Sequence, residues 1–244
     1  MKNIKFIKKH IFIIIIAIIT IFVISVIVQY QVEGEKNLPF QVSKIMVISN
    51  AYGIQQHSEY QWDLEVVQNN DIYIDIIKNK NNSKEEIIDK VIFDNFEIDK
   101  APKKGEIVLY NPQSIENSIY YNEEQYKIEK QLEYIGNEEK SDIKNFQISN
   151  QGGLVFLRIV NQNLGKYTSN EQKEIRHDGT LLKQIGITNE ELSFNISFDI
   201  SIQLKSEKRY RARIKLKMPK EDLTQEGTTH YQISGVDELV FKRY

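Results

Sequence analysis

The sequence predicts a mainly β chain: one antiparallel β-sandwich, Ig-like or jelly-roll-like, behind a single N-terminal transmembrane helix. Three observations carry this. Residues 11–28, IFIIIIAIITIFVISVIV, hold eighteen positions without a charge, Gly or Pro. At about 1.5 Å per residue they make a helix roughly 27 Å long, close to the hydrocarbon thickness of a bilayer. Residues 192–204, LSFNISFDISIQL, alternate apolar and polar without a fault, which marks a half-buried strand. Similar short runs recur along the chain between turn residues, with hardly any helical periodicity among them.

Taken in order, Lys2, Lys5, Lys8 and Lys9 precede the apolar run, and Glu33, Glu35 and Lys36 follow it. The lysine excess places residues 1–10 in the cytoplasm and the rest outside. The run ends Val26-Ile27-Val28-Gln29-Tyr30-Gln31-Val32, bulky where signal-peptide cleavage needs small residues. It therefore reads as an uncleaved signal anchor, and the absence of Cys excludes an acylated-cysteine anchor. Residues 29–37 read as a short stalk and 38–244 as one extracytoplasmic domain. The polar stretch 112–125 is a surface excursion within it, because the strands before it are too few to bury two faces.

Strands are expected at 41–49, 60–66, 72–78, 87–98, 106–110, 127–134, 145–149, 154–161, 192–204, 208–218 and 238–242. Asn69-Asn70-Asp71 reads as a turn. Leu154-Val155-Phe156-Leu157 and Ile159-Val160 are apolar on both faces, as in a central strand. Asp178 caps a short helix over 179–185, and Asn111-Pro112 opens another single turn. The last two long strands form a hairpin. One apolar row holds Phe194, Ile196, Phe198, Ile200 and Ile202; the other holds Tyr210, Ala212, Ile214, Leu216 and Met218. Keeping both rows on one face requires paired numbers that sum to an even value, hence a loop of odd length near Ser206. Ile200 then lies opposite Ala212 or Ile214.

Composition narrows the function classes. Four of the 32 Lys and Arg, and none of the 34 acids, fall within residues 1–28, so the outer part carries a charge of −6. That argues against nucleic acid as a partner. The Ile, Lys and Asn bias and the missing Cys favour the outer face of a bacterial cytoplasmic membrane.

Four constellations are candidates for chemistry. Arg209, Arg211, Arg213, Lys215 and Lys217 form a row of five cations at alternate positions. At about 6.7 Å spacing the row runs roughly 27 Å. Like charges so placed repel, so an acidic neighbouring strand, the acid-rich 112–142 segment or an external polyanion must answer them. Teichoic acids and anionic lipid head groups are such polyanions. The bland alternative is an edge strand blunted by charge. Arg158, inside an apolar strand, needs either a structural ion pair or a ligand. Tyr120, Tyr121 and Tyr126, with Tyr134, are a candidate platform for sugar rings. Arg176-His177-Asp178 invites an acid–base reading, but adjacent residues rarely aim at one another. His57, His177 and His230 are too scattered for zinc, and 94–99, DNFEID, lacks the glycine and spacing of an EF-hand. No metal, cofactor or catalytic residue is expected.

The wording FQISNQGGLVFLRIVNQNLGKYTSN, followed by HDGTLLKQIGI, resembles uncharacterised single-span, membrane-anchored extracytoplasmic proteins of low-GC Gram-positive bacteria. That resemblance implies the location and no activity. The expectation is a non-catalytic, membrane-anchored binding or interaction protein that contacts an envelope polyanion or a partner protein. The alternative is a carbohydrate-binding β-sandwich module.

Overall fold

The computed structural model describes residues 2–56, 61–80, 82, 85–111, 127–138, 142, 145–169, 174–234 and 239–244. Helix α1 spans Lys2–Glu33 and is long and apolar enough to cross a membrane. The helix continues through the first residues of the expected stalk. It stops at Gly34, where φ is +72° and the N–H donates to Tyr30 O at 2.9 Å. Only glycine fits here: a Cβ would lie 2.3 Å from Phe241 O. Tyr30, Gln31 and Glu35 then contact the C-terminal segment. Glu35 N–H donates to Phe241 O at 2.7 Å, Arg243 N–H to Tyr30 Oη at 2.8 Å, and Lys242 Nζ to Gln31 Oε1 at 2.6 Å.

The rest is mainly β, in two sheets. Its strands are β1 Phe40–Gln55, β2 Trp62–Lys78, β3 Ile88–Lys100, β4 Glu106–Tyr110, β5 Leu132–Asn137 and β6 Gln147–Ser149. They continue with β7 Gly152–Ser169, β8 Phe194–Leu204, β9 Arg209–Met218, β10 Thr228–Ser234 and β11 Lys242–Arg243. One sheet runs β10-β1-β2-β7-β4; the other runs β11-β9-β8-β3-β5-β6. Every pairing is antiparallel except β5 with β6.

Alternation explains the core. Ile45, Val47, Ile72, Ile74, Val155 and Leu157 of the first sheet share one cluster with Val91, Phe93, Ile196, Phe198, Ile214 and Leu216 of the second. The far ends of β1, β2 and β7 outrun the second sheet. There Ala51, Leu64, Val66 and Leu164 pack instead under short helices α2 (Thr180–Gln184), α3 (Asn189–Leu192) and α4 (Leu223–Glu226). Asp178 Oδ1 accepts from Thr180 N–H at 2.8 Å and so serves the start of α2.

The hairpin has the expected parity. Ile200 lies opposite Ala212, and every β8–β9 pair keeps the same register. Leu204 N–H donates to Lys208 O, closing a three-residue loop whose Glu207 takes φ +65°.

Several expectations need correction. Of the expected strand 127–134 only the part from Leu132 is strand, running on to Asn137, and of 238–242 only Lys242 is strand, with 238 outside the described residues. Residues 60–66 and 72–78 are not separate strands around a turn at Asn69-Asn70-Asp71. They merge in β2, which pairs along this stretch with β1 on one side and β7 on the other. Asn70 is fully buried between the two apolar clusters, accepting from Ser49 Oγ at 2.7 Å and donating to Ile159 O at 3.2 Å. Two flanking ladders thus outweigh local turn preference. Strand β10, where no strand was expected, supplies the outer edge of the first sheet beside β1.

Candidate functional site

The cationic row occupies the outer face of β9. Tyr210, Ala212, Ile214, Leu216 and Met218 are buried, while Arg209, Lys215 and Lys217 are exposed and Arg211 and Arg213 half-buried. The acid-rich strand β3, two places away, answers the middle of the row. Arg211 Nη2 lies 3.2 Å from Asp94 Oδ2, its Nε donates to Ser201 Oγ at 3.1 Å, and its guanidinium stacks 4.3 Å from the Tyr244 ring centroid. Arg213 Nη1 donates to Asn95 O at 2.7 Å and lies 3.2 Å from Asp199 Oδ1; its Nη2 pairs with Glu97 and donates to Ser197 Oγ at 2.7 Å.

A bulge makes this possible. The β3–β8 register shifts between Asp94 and Glu97, with Asn95 at φ +52°. Phe93 and Phe96, three residues apart, therefore both pack on Phe198, while Asp94 and Glu97 both reach the arginines. The apolar spacing of three inside 93–96 was the sequence signal for it. Asp94 stands directly opposite Asp199. Burial raises the Asp94 carboxyl above its ordinary value, Arg211 pulls it back down, and the like charge of Asp199 adds to the rise.

Among the described residues, Arg209, Lys215 and Lys217 form no ion pair. Beside Lys215 opens a cleft of about 610 Å³ between β9 and the first sheet. Val42, Ile45, Ile214, Leu216, Ile233 and Leu239 give it an apolar wall; Arg211, Arg213, Lys215 and Lys242 rim it, and Gln31 of α1 borders it. Lys242 and Tyr244 were not singled out in the sequence, because only β11 pairing brings the C-terminus to β9.

The other candidates lie elsewhere. Arg158 stands opposite Asp71 across β7 and β2. It holds the carboxylate with two bonds, Nε to Oδ1 at 2.6 Å and Nη2 to Oδ2 at 2.7 Å. Tyr120, Tyr121 and Tyr126 lie outside the described residues, as do His57 and Asn111-Pro112's second member. Tyr134 belongs to the core, not to a platform. Its hydroxyl donates to Phe156 O at 2.8 Å, and burial pushes its pKa up. His177 Nδ1 accepts from Gly53 N–H at 3.2 Å, and its ring lies 4.5 Å from that of Tyr52. With Asp178 bonded to Thr180, the two form no dyad. Among the described residues, no group of His, Asp and Glu is arranged to hold a metal ion.

Compared with known proteins, the chain matches no family model, no curated protein and no solved structure.

Proposed function

We propose that the chain is a non-catalytic, single-pass membrane protein that presents its two-sheet domain, a β-sandwich, outside the cytoplasmic membrane and binds an anionic envelope partner along β9. Lys2, Lys5, Lys8 and Lys9 before the apolar segment support the orientation. One observation carries the binding role: Arg209, Lys215 and Lys217 stay exposed and without ion pairs among the described residues, and Lys215 lines a largely apolar cleft. Cations that the fold leaves unanswered can be answered by a ligand without breaking any internal pair. Arg211 and Arg213, already bound to Asp94, Glu97 and Asp199, hold the face in shape.

The test is co-sedimentation of the full chain, in non-ionic detergent, with peptidoglycan carrying teichoic acid. Wild type should pellet at low salt and release as salt rises. The Arg209→Glu/Lys215→Glu/Lys217→Glu variant should stay in the supernatant. Equal pelleting of both proteins would sink the proposal.

A further inference from the structure

The last turn of α1 is fastened to the C-terminal strand, and this fixes the depth of two cations. The apolar run of α1 ends at Val28. Tyr30 and Gln31 follow within the helix, about 3–5 Å further along its axis. With α1 across a membrane they stand in the headgroup layer, which is about 5–7 Å thick on each side. Arg243 N–H donates to Tyr30 Oη and Lys242 Nζ to Gln31 Oε1, so β11 shares their depth. The connection has no slack. Glu35 N–H bonds Phe241 O, and Leu38, four residues past Gly34, is already part of the core. Charge at this level is unbalanced. Among the described residues, Lys242 and Arg243 form no ion pair. The neighbouring acids are mostly taken, Glu33 by Lys36 at 2.6 Å and Glu86 by Lys208, which leaves Glu35. Successive strand residues point to opposite faces, so β11 carries one of these cations on each side.

We propose that Lys242 and Arg243 form a collar at the end of α1 that binds the phosphates of anionic phospholipids in the membrane α1 crosses. This rests on the reading of α1 as a membrane span and goes beyond the binding role of β9. A lipid phosphate suits both side chains: Arg243 offers paired donors and Lys242 a point charge, and neither has to release a carboxylate to take it. A zwitterionic headgroup carries its own cation beside the phosphate, so the collar prefers lipids of net negative charge. The collar holds the domain against the bilayer surface, with β11 as the contact strand. Tyr244 N–H bonds Arg209 O, so the cationic row of β9 begins beside it.

The test is the lipid selectivity of the full chain in phosphatidylcholine bilayers. A trace of spin-labelled phosphatidylglycerol or spin-labelled phosphatidylcholine is added, and the motionally restricted fraction is read by electron paramagnetic resonance. Wild type should prefer phosphatidylglycerol, and Lys242→Gln/Arg243→Gln should lower that preference at least about threefold at low salt. Lys2, Lys5, Lys8 and Lys9 act at the other end of α1 and are common to every variant. Lys242→Arg/Arg243→Lys keeps both charges and should keep the preference. So should Lys166→Gln/Lys183→Gln, which removes two exposed cations at the far end of the domain. Equal preference in wild type and Lys242→Gln/Arg243→Gln overturns the collar and leaves α1 as a span. An equal drop in Lys166→Gln/Lys183→Gln also overturns it, because net charge then explains the effect. No restricted lipid in wild type overturns both the span and the collar.

Discussion

Arg158 and Arg213 both project from the outer face of a sheet, yet they live under different rules. Strand β7 is paired on both sides, by β2 and β4, and Asp71 is registered directly opposite Arg158. The guanidinium and the carboxylate are only 11% and 16% exposed and satisfy one another with two parallel bonds. Strand β9 has a full partner on one side only. Asp199 of β8, registered opposite Arg213, and the acids of β3, brought over by a bulge, answer Arg211 and Arg213, while Arg209, Lys215 and Lys217 form no ion pair among the described residues. On both strands a registered carboxylate meets an arginine, but only the interior pair is closed off from water on both sides. A near-edge strand has fewer neighbours to supply a counter-ion, and there excess charge stays exposed.

The largest effect should come from breaking the interior pair. Arg158→Ala or Asp71→Ala leaves a mostly buried charge without its partner and should cost on the order of 3 kcal/mol. Chemical unfolding of the full chain in detergent measures it, and the double variant should recover part of the loss. A cost no larger than at an exposed site would erase the contrast between the two strands.

Within β9 the contrast should repeat on a smaller scale. Arg213→Ala loses its bonds to Glu97, Asp199, Ser197 and Asn95 and should destabilise by about 1–2 kcal/mol. Lys215→Ala/Lys217→Ala should stay within about 0.5 kcal/mol of wild type while weakening anion binding. The same unfolding experiment, run beside the sedimentation assay, separates the cations that hold the fold from those left for a partner.

The smallest effect concerns Asp94. Its folded-state pKa is raised above the ordinary 3.8, first by burial. A raised carboxyl contributes stability that is fully present below the unfolded pKa and lost as pH rises through the folded value. Asp94→Asn carries no such titration, so its stability should gain on wild type as pH climbs from about 3 to 6. A constant difference across that range would show that Asp94 and Arg211 pair too well for burial to dominate.

Much of this was readable along the chain because side-chain alternation is a local property. The apolar rows of β8 and β9 set the parity of their register, and parity forced the odd loop that ends at Glu207. Asp178 marked the start of α2 one residue early: Gly179 is the N-cap, and Asp178 Oδ1 accepts from Thr180 N–H. The acids at Asp94 and Glu97 were visible as residues but not as partners, because they lie more than a hundred positions from Arg211 and Arg213. Asn69-Asn70-Asp71 misled for the opposite reason. Its turn chemistry is real, and the ladders to β1 and β7, together with buried bonds to Ser49 and Ile159, override it.

By itself, then, the sequence determined the apolar N-terminal helix, the β character of the domain, the inward and outward rows of its strands and the existence of a cationic face. Those follow from hydrophobicity and from a side-chain period of two, which need no knowledge of neighbours. Tertiary structure alone decided that β9 lies next to last in its sheet, that β3 and β8 neutralise the middle of its row, and that the C-terminus meets α1 beside the cleft. Each depends on which strand stands next to which, and strand order is set by burying a shared core, which no single segment encodes.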